Sequence, residues 1–208
     1  MTEDEAKATI ASIVSRETLE RLTIFAKLLI KWQAKINLVS PSTIPALWTR
    51  HMLDSAQLVQ YIPANASRWL DLGSGGGFPG LVCAAIAHDH HPSLQIALVE
   101  SDQRKAAFLR EAARQMGISV AVHGCRIADL PPHRADVISA RALAPLQILL
   151  DMACIHLATS GICLFQKGAR YDVECEAAKQ TWQFIYDMIP SVTDEAAVVL
   201  RIKELRHV

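Results

Sequence analysis

The chain has 208 residues, 51% of them hydrophobic, and a formal net charge of zero. That length fits one globular unit with a substantial core, and the neutral balance excludes the globally basic surface typical of nucleic-acid binders. No run of about 18 apolar residues is present to span a membrane, since Asp151 interrupts the longest candidate, and the acidic, polar N-terminus does not read as a secretory leader.

Residues 1–62 read as all-helical. Ile24, Leu28, Leu29, Trp32 and Ile36 recur at helical spacing from Arg16 to Ile36. Ile44-Pro45 opens a further helix carrying Leu47, Trp48, Met52, Leu53 and Ala56. From residue 63 onward the pattern changes to strands alternating with helices. The predicted strands are Trp69–Leu72, Gln95–Glu100, Ser119–His123, Ala135–Ala140, Gly161–Gln166, Gln183–Met188 and Ala197–Lys203. Helices fit at Gly80–His88, Gln103–Met116, Pro145–His156 and Asp172–Thr181. Alternation of this kind implies an α/β fold with a mostly parallel sheet. Ile189–Ala196 leaves no room for a crossover helix, so the last two strands are predicted to form an antiparallel hairpin. The expectation is a Rossmann-like seven-stranded sheet (63–208) under an N-terminal helical cap (1–62) belonging to the same compact unit.

Charge is uneven along the chain. Residues 101–170 hold nine Lys/Arg against five acids, whereas the first twenty hold five acids against two bases. This reads as solvated surface, with a local basic face as the alternative. The five cysteines form no Cys-x-x-Cys pair and read as reduced thiols of a cytoplasmic protein. His88-Asp89-His90-His91 reads as a helix end before Pro92, and no metal site is expected.

The chemistry concentrates at Asp71-Leu72-Gly73-Ser74-Gly75-Gly76-Gly77-Phe78-Pro79-Gly80. Five glycines within eight residues follow an apolar strand and open a helix, a setting in which backbone amides meet a bound ligand. Gly73 and Gly75 fit a dinucleotide fingerprint, but Phe78 stands where its third glycine belongs. Asp-x-Gly-x-Gly, with Asp71, Gly73 and Gly75, is instead typical of S-adenosylmethionine-dependent methyltransferases. Glu100 ends the second strand, where an acid meets ribose hydroxyls in either case. Arg141 and Lys167 follow the fourth and fifth strands, at the carboxyl ends that face the crevice. A nicotinamide-dependent oxidoreductase and an inert RNA-binding protein remain the alternatives at this point.

Several stretches together are highly specific: Trp32-Gln33-Ala34-Lys35-Ile36-Asn37-Leu38-Val39-Ser40, Arg50-His51-Met52-Leu53-Asp54-Ser55, the glycine loop with its Pro-Gly ending, Ser139-Ala140-Arg141-Ala142 and Lys167-Gly168. On these the chain resembles the bacterial small-subunit ribosomal RNA methyltransferase G family, also called glucose-inhibited division protein B, over essentially its whole length. The resemblance implies methyl transfer from S-adenosyl-L-methionine to N7 of a guanine in the decoding region of 16S ribosomal RNA. The substrate it implies is the small ribosomal subunit or an assembly intermediate, modified in the cytoplasm by a monomer with no membrane partner. It further implies cofactor contacts from Asp71, Gly73, Gly75, Phe78, Glu100, Ile127, Ala128 and Arg141. RNA contacts are expected from Arg50, His51 and Lys167, and catalytic roles from Arg141, Lys167, Asn37 and Asp54. Gln33 departs from the Asn of many relatives, and Ala140 separates Ser139 from Arg141 where many relatives have Ser-Arg directly.

Overall fold

The computed structural model describes residues 1–208. Its strands are β1 (Arg68–Leu72), β2 (Gln95–Val99), β3 (Ala121–His123), β4 (Ala135–Arg141), β5 (Leu157–Lys167), β6 (Trp182–Pro190) and β7 (Val198–His207). They form one sheet in the order β3-β2-β1-β4-β5-β7-β6. The first five pair in parallel, and β7 runs antiparallel to both β5 and β6. Trp69, Leu70 and Leu72 of β1 are all fully buried, the continuous apolar run expected of a parallel strand covered on both faces. The terminal hairpin forms as predicted, with β7 inserted between β5 and β6.

Helices α1 (Glu3–Ala11), α2 (Arg16–Gln33), α3 (Asp54–Ala56), α4 (Gly80–His90), α5 (Gln103–Met116), α6 (Leu146–His156) and α7 (Tyr171–Ala178) surround the sheet. One core joins α1 and α2 to α4, α5 and one sheet face through Ile10, Leu22, Phe25, Leu29, Leu81, Phe108 and Leu164. The other packs α6 and α7 on the opposite face, around Ile138, Leu150, Phe165 and Leu200. Each fully buried side chain of this size contributes roughly 1.5–3 kcal/mol, so the N-terminal helices are bound into the body of the protein. Ser15 caps α2, accepting from Thr18 N at 3.0 Å. Asp89 near the end of α4 accepts from Ser15, Thr18 and Arg21. The histidine-rich stretch thereby fastens α2 to α4.

Among the predicted boundaries that shift, two in the N-terminal region have a local reason. The second helix stops at Gln33 rather than Ile36 because the Gln33 amide bonds to Leu38 N, Val39 N and Val39 O and folds the chain back. The helix predicted from Ile44 is a 3-10 turn over Pro41–Ala46, a π-helical turn over Trp48–Leu53, and only then α3. Pro45 has no N–H to give the carbonyl of Pro41, so α-helical pairing cannot start there. Glu3 of α1 takes up amides in the π-helical turn, its carboxylate accepting from Trp48 N at 2.7 Å and Thr49 N at 2.9 Å.

Candidate functional site

The turn after β1 runs over the carboxyl edge of the sheet. Gly73 has φ +63°, and a Cβ there would lie 2.6 Å from Leu143 Cδ1. The backbone angle is what calls for glycine, because L side chains disfavour this region, while the Leu143 side-chain end could move aside. Gly80, the first residue of α4, is demanded by packing instead: a Cβ would meet Leu98 and sit 2.6 Å from Asp71 Oδ2.

Asp71 braces the turn from below. Its carboxylate is fully buried and accepts from Ser139 Oγ at 2.6 Å and Gly80 N at 3.2 Å. Ser139 Oγ in turn accepts from the Trp69 indole at 2.8 Å. Burial pushes the Asp71 carboxyl up to about 6, against the lowering effect of these hydrogen bonds. The side chain does not reach the cleft, which corrects the expectation of a direct cofactor contact: Asp71 shapes the ligand loop from beneath. Glu100 holds the turn from the side, accepting from Gly75 N and Asp102 N, each at 2.8 Å. Each carboxylate oxygen retains further acceptor capacity, and Glu100 lines the cleft.

Above the turn lies one large cleft of about 1180 Å³. Gly73, Gly75, Phe78, Glu100, Ile127 and Ala128 line one part, and Arg50, His51, Asp54, Arg141, Gln166 and Lys167 line another. Arg141 is the junction between sheet and cap. It pairs with Asp54 at 3.2 Å, donates to the Arg50 carbonyl at 3.0 Å and to His51 Nδ1 at 2.7 Å, and lies over the Phe78 ring. The His51 ring also packs on Phe78, with centroids 4.9 Å apart. Burial, reinforced by Arg141 and Arg50, pushes the His51 imidazolium down to about 3, so the ring is neutral near pH 7.

The structure alters several expected roles. Asn37 is exposed, accepts from Gln33 Nε2, and does not line the cleft. Lys167 is not a free cation: its side chain is 9% exposed, pairs with Glu174 at 2.6 Å and donates to the Ala144 carbonyl at 3.0 Å. Glu174 also accepts from Leu146 N, so the pair anchors the segment that leads into α6. Arg50 is exposed but pairs with Asp194 at 2.9 Å. Asp54 carries no uncommitted charge, since Arg141 neutralises it and Gln57 and Thr193 donate to it.

Sequence reasoning missed the loop between β6 and β7 as a cleft wall. Ser191, Thr193 and Asp194 reach the cap through Asp54 and Arg50. Nothing local in that segment signals this, because the contact spans well over one hundred residues of chain. Gln166 was also missed. Its Nε2 donates to the Asp54 carbonyl at 2.8 Å, beside the flagged Lys167.

Comparison with known proteins bears on family and fold. Residues 18–198 match the family described as rRNA small subunit methyltransferase G. A protein of that name from Cereibacter sphaeroides is 53% identical over 208 residues, covering all of both chains. One from Paramagnetospirillum magneticum is 53% identical over 193 residues, covering 92% of this chain and 91% of its own. Among solved structures, M. jannaschii TYW2 in complex with AdoMet superposes with a TM-score of 0.60 at 14% identity, covering 84% of this chain and 80% of its own. The ribosomal protein L11 methylase from Lactobacillus delbrueckii gives 0.56 at 18% identity, covering 74% and 78%. These two likenesses bear on the fold alone.

Proposed function

Because this chain belongs to the rRNA small subunit methyltransferase G family, we propose that it transfers a methyl group from S-adenosyl-L-methionine to N7 of a guanine in the decoding region of 16S ribosomal RNA. It is an S-adenosylmethionine-dependent rRNA methyltransferase. The substrate within this reading is the small subunit or an assembly intermediate, met in the cytoplasm by a monomer. No helix is long and apolar enough to cross a membrane. Residues 1–62 serve as the cap and 63–208 as the catalytic body of one unit.

The observation that carries the reading is the single cleft in which the glycine turn, the Ile127–Ala128 edge and the cap signature Arg50-His51-Asp54 converge. A nucleoside-bearing donor fits these residues. Gly73 and Gly75 give close access to backbone, Glu100 suits ribose hydroxyls, Ile127 and Ala128 suit an adenine edge, and Phe78 with Arg141 lies where donor and base regions meet. The donor supplies an already activated methyl on its sulfonium. Guanine N7 offers a lone pair and no proton, so the chain need not provide a general base. Neutral His51, committed to Arg141 and Thr43, fits that requirement. What remains is to orient the base, exclude water and keep the acceptor aligned. Arg141, His51 and Asp54 fix the cap on the sheet edge for that purpose, and the cap favours a guanine taken out of its stack.

The test is mass mapping of ribosomal RNA after small subunits lacking the modification are incubated with the protein and labelled donor. Label on N7 of one decoding-region guanine is expected. Label on another base or atom overturns the assignment.

A further inference from the structure

Five Lys and Arg side chains line the cleft: Arg50, Lys105, Arg126, Arg141 and Lys167. Three are spent internally, Arg50 on Asp194, Arg141 on Asp54 and Lys167 on Glu174. Lys105 and Arg126 make no ion pair. They sit together on one rim, Lys105 in the first turn of α5 and Arg126 just before the 3-10 turn Ile127–Asp129. Arg110 lies on the same side, donating to the Val122 carbonyl with no carboxylate partner. Gln103 Nε2 bonds to the Gly124 carbonyl and holds the rim in place.

The acids nearby do not neutralise this rim. Glu100 is bound to two backbone amides and Asp102 to Arg104. Asp129 of the 3-10 turn makes no ion pair, and Asp151, which also lines the cleft, accepts from the Trp182 indole rather than pairing with a cation. A neutral protein thus carries three cations of the basic stretch 101–170 without a carboxylate partner along one edge of its cleft.

On the reading above, the rim flanks the adenosine end of the donor. Adenosine carries no phosphate and no carboxylate, and the donor's sulfonium is itself cationic. The donor's one anion, its methionyl carboxylate, belongs to the opposite end of the molecule, so the adenosine end offers these side chains no anion. We propose that Lys105 and Arg126, with Arg110 beside them, form the docking edge for phosphates of the substrate RNA. The internally paired Arg50, Arg141 and Lys167 shape the cleft without adding to that charge. This rests on the assignment of ribosomal RNA as substrate.

The experiment compares wild type with the K105Q/R126Q double variant in filter binding to deproteinised 16S ribosomal RNA across a salt series, with donor affinity measured by calorimetry. Neutralising each phosphate contact is expected to make the slope of log affinity against log salt shallower by about 0.7–0.9. The donor dissociation constant is expected to stay within about twofold, and K105R/R126K to keep the wild-type slope. Both side chains are solvent-accessible, so the double variant should melt like wild type. An unchanged slope overturns the proposal. So does a loss of donor affinity, which would assign the cations to the cofactor. A defect seen with intact subunits but not with naked RNA would assign them to a ribosomal protein and overturn it as well. If wild type binds the RNA with a salt slope that the variant weakens, yet methylates no decoding-region guanine, the function reading fails while the docking edge stands.

Discussion

Arg141 Nη2 donates to His51 Nδ1 at 2.7 Å, which makes that ring nitrogen the acceptor and leaves the proton on Nε2, opposite Thr43 Oγ1 at 2.7 Å. The tautomer is thus set by a guanidinium that cannot itself accept. Protonating Nδ1 would aim two donors at each other inside a largely buried site.

The sign of the pH effect follows. A group whose folded pKa is depressed from 6.5 to about 3 favours folding above its unfolded value, and that contribution is lost as pH falls from about 6.5 towards 3. Thermal melts of wild type and His51→Gln across that window should converge as pH falls. Parallel curves would show that His51 titrates as freely in the fold as in the unfolded chain.

Asp54 and Arg141 are 15% and 17% exposed in their side chains. Removing one partner of such a pair leaves a poorly solvated charge. Asp54→Ala should cost about 3 kcal/mol in denaturant unfolding, and Arg141→Ala a similar amount. The double variant should cost clearly less than their sum, since the two act as one unit. Additive losses would mean that the pair is not coupled.

Gly75 and Gly80 separate loop conformation from packing. Gly75 has φ +54°, and a Cβ there would make only an ordinary contact, with the Gly73 carbonyl at 3.7 Å. Gly75→Val is expected to leave the fold intact, with a strain cost of about 1–3 kcal/mol, and to abolish donor binding in calorimetry. Gly80→Ala should instead lower stability by about 1–3 kcal/mol through overpacking against Leu98 and Asp71. Retained donor affinity in Gly75→Val would remove the turn from the binding site.

Lys167→Ala and Glu174→Gln should produce matching defects. Each frees the segment between β4 and α6, so both should lose turnover and soften local hydrogen-exchange protection around Ala144–Leu146. A variant that weakened RNA binding with protection unchanged would restore Lys167 to the role of phosphate contact.

The sheet and its helices were legible because strand burial and helical periodicity are local signals. The run Trp69–Leu72 and the spacing of Phe108, Leu109, Ala112 and Ala113 announce themselves. The cap's irregular turns were not legible as such, although Pro41 and Pro45 mark where α-helical pairing fails. The Thr2–Glu5 capping box that starts α1 was present in the sequence and went unused. At the site, residue identity was easier to read than residue role. Asp71, Lys167 and Asp54 were flagged from sequence, but burial and the nearest hydrogen-bond or charge partner decide what each does. Those partners, Ser139, Glu174 and Arg141, lie 68, 7 and 87 residues away in the chain.

The contact between Arg50 and Asp194 joins positions 144 residues apart. As the polypeptide emerges from its own ribosome, the cap residue of this pair is made before the loop residue that completes the cleft wall. Closing a contact over so long a stretch of chain carries a loop-closure cost that nearer contacts must first offset. The finished cleft therefore exists only once both the cap and the loop that follows β6 have been made and brought together.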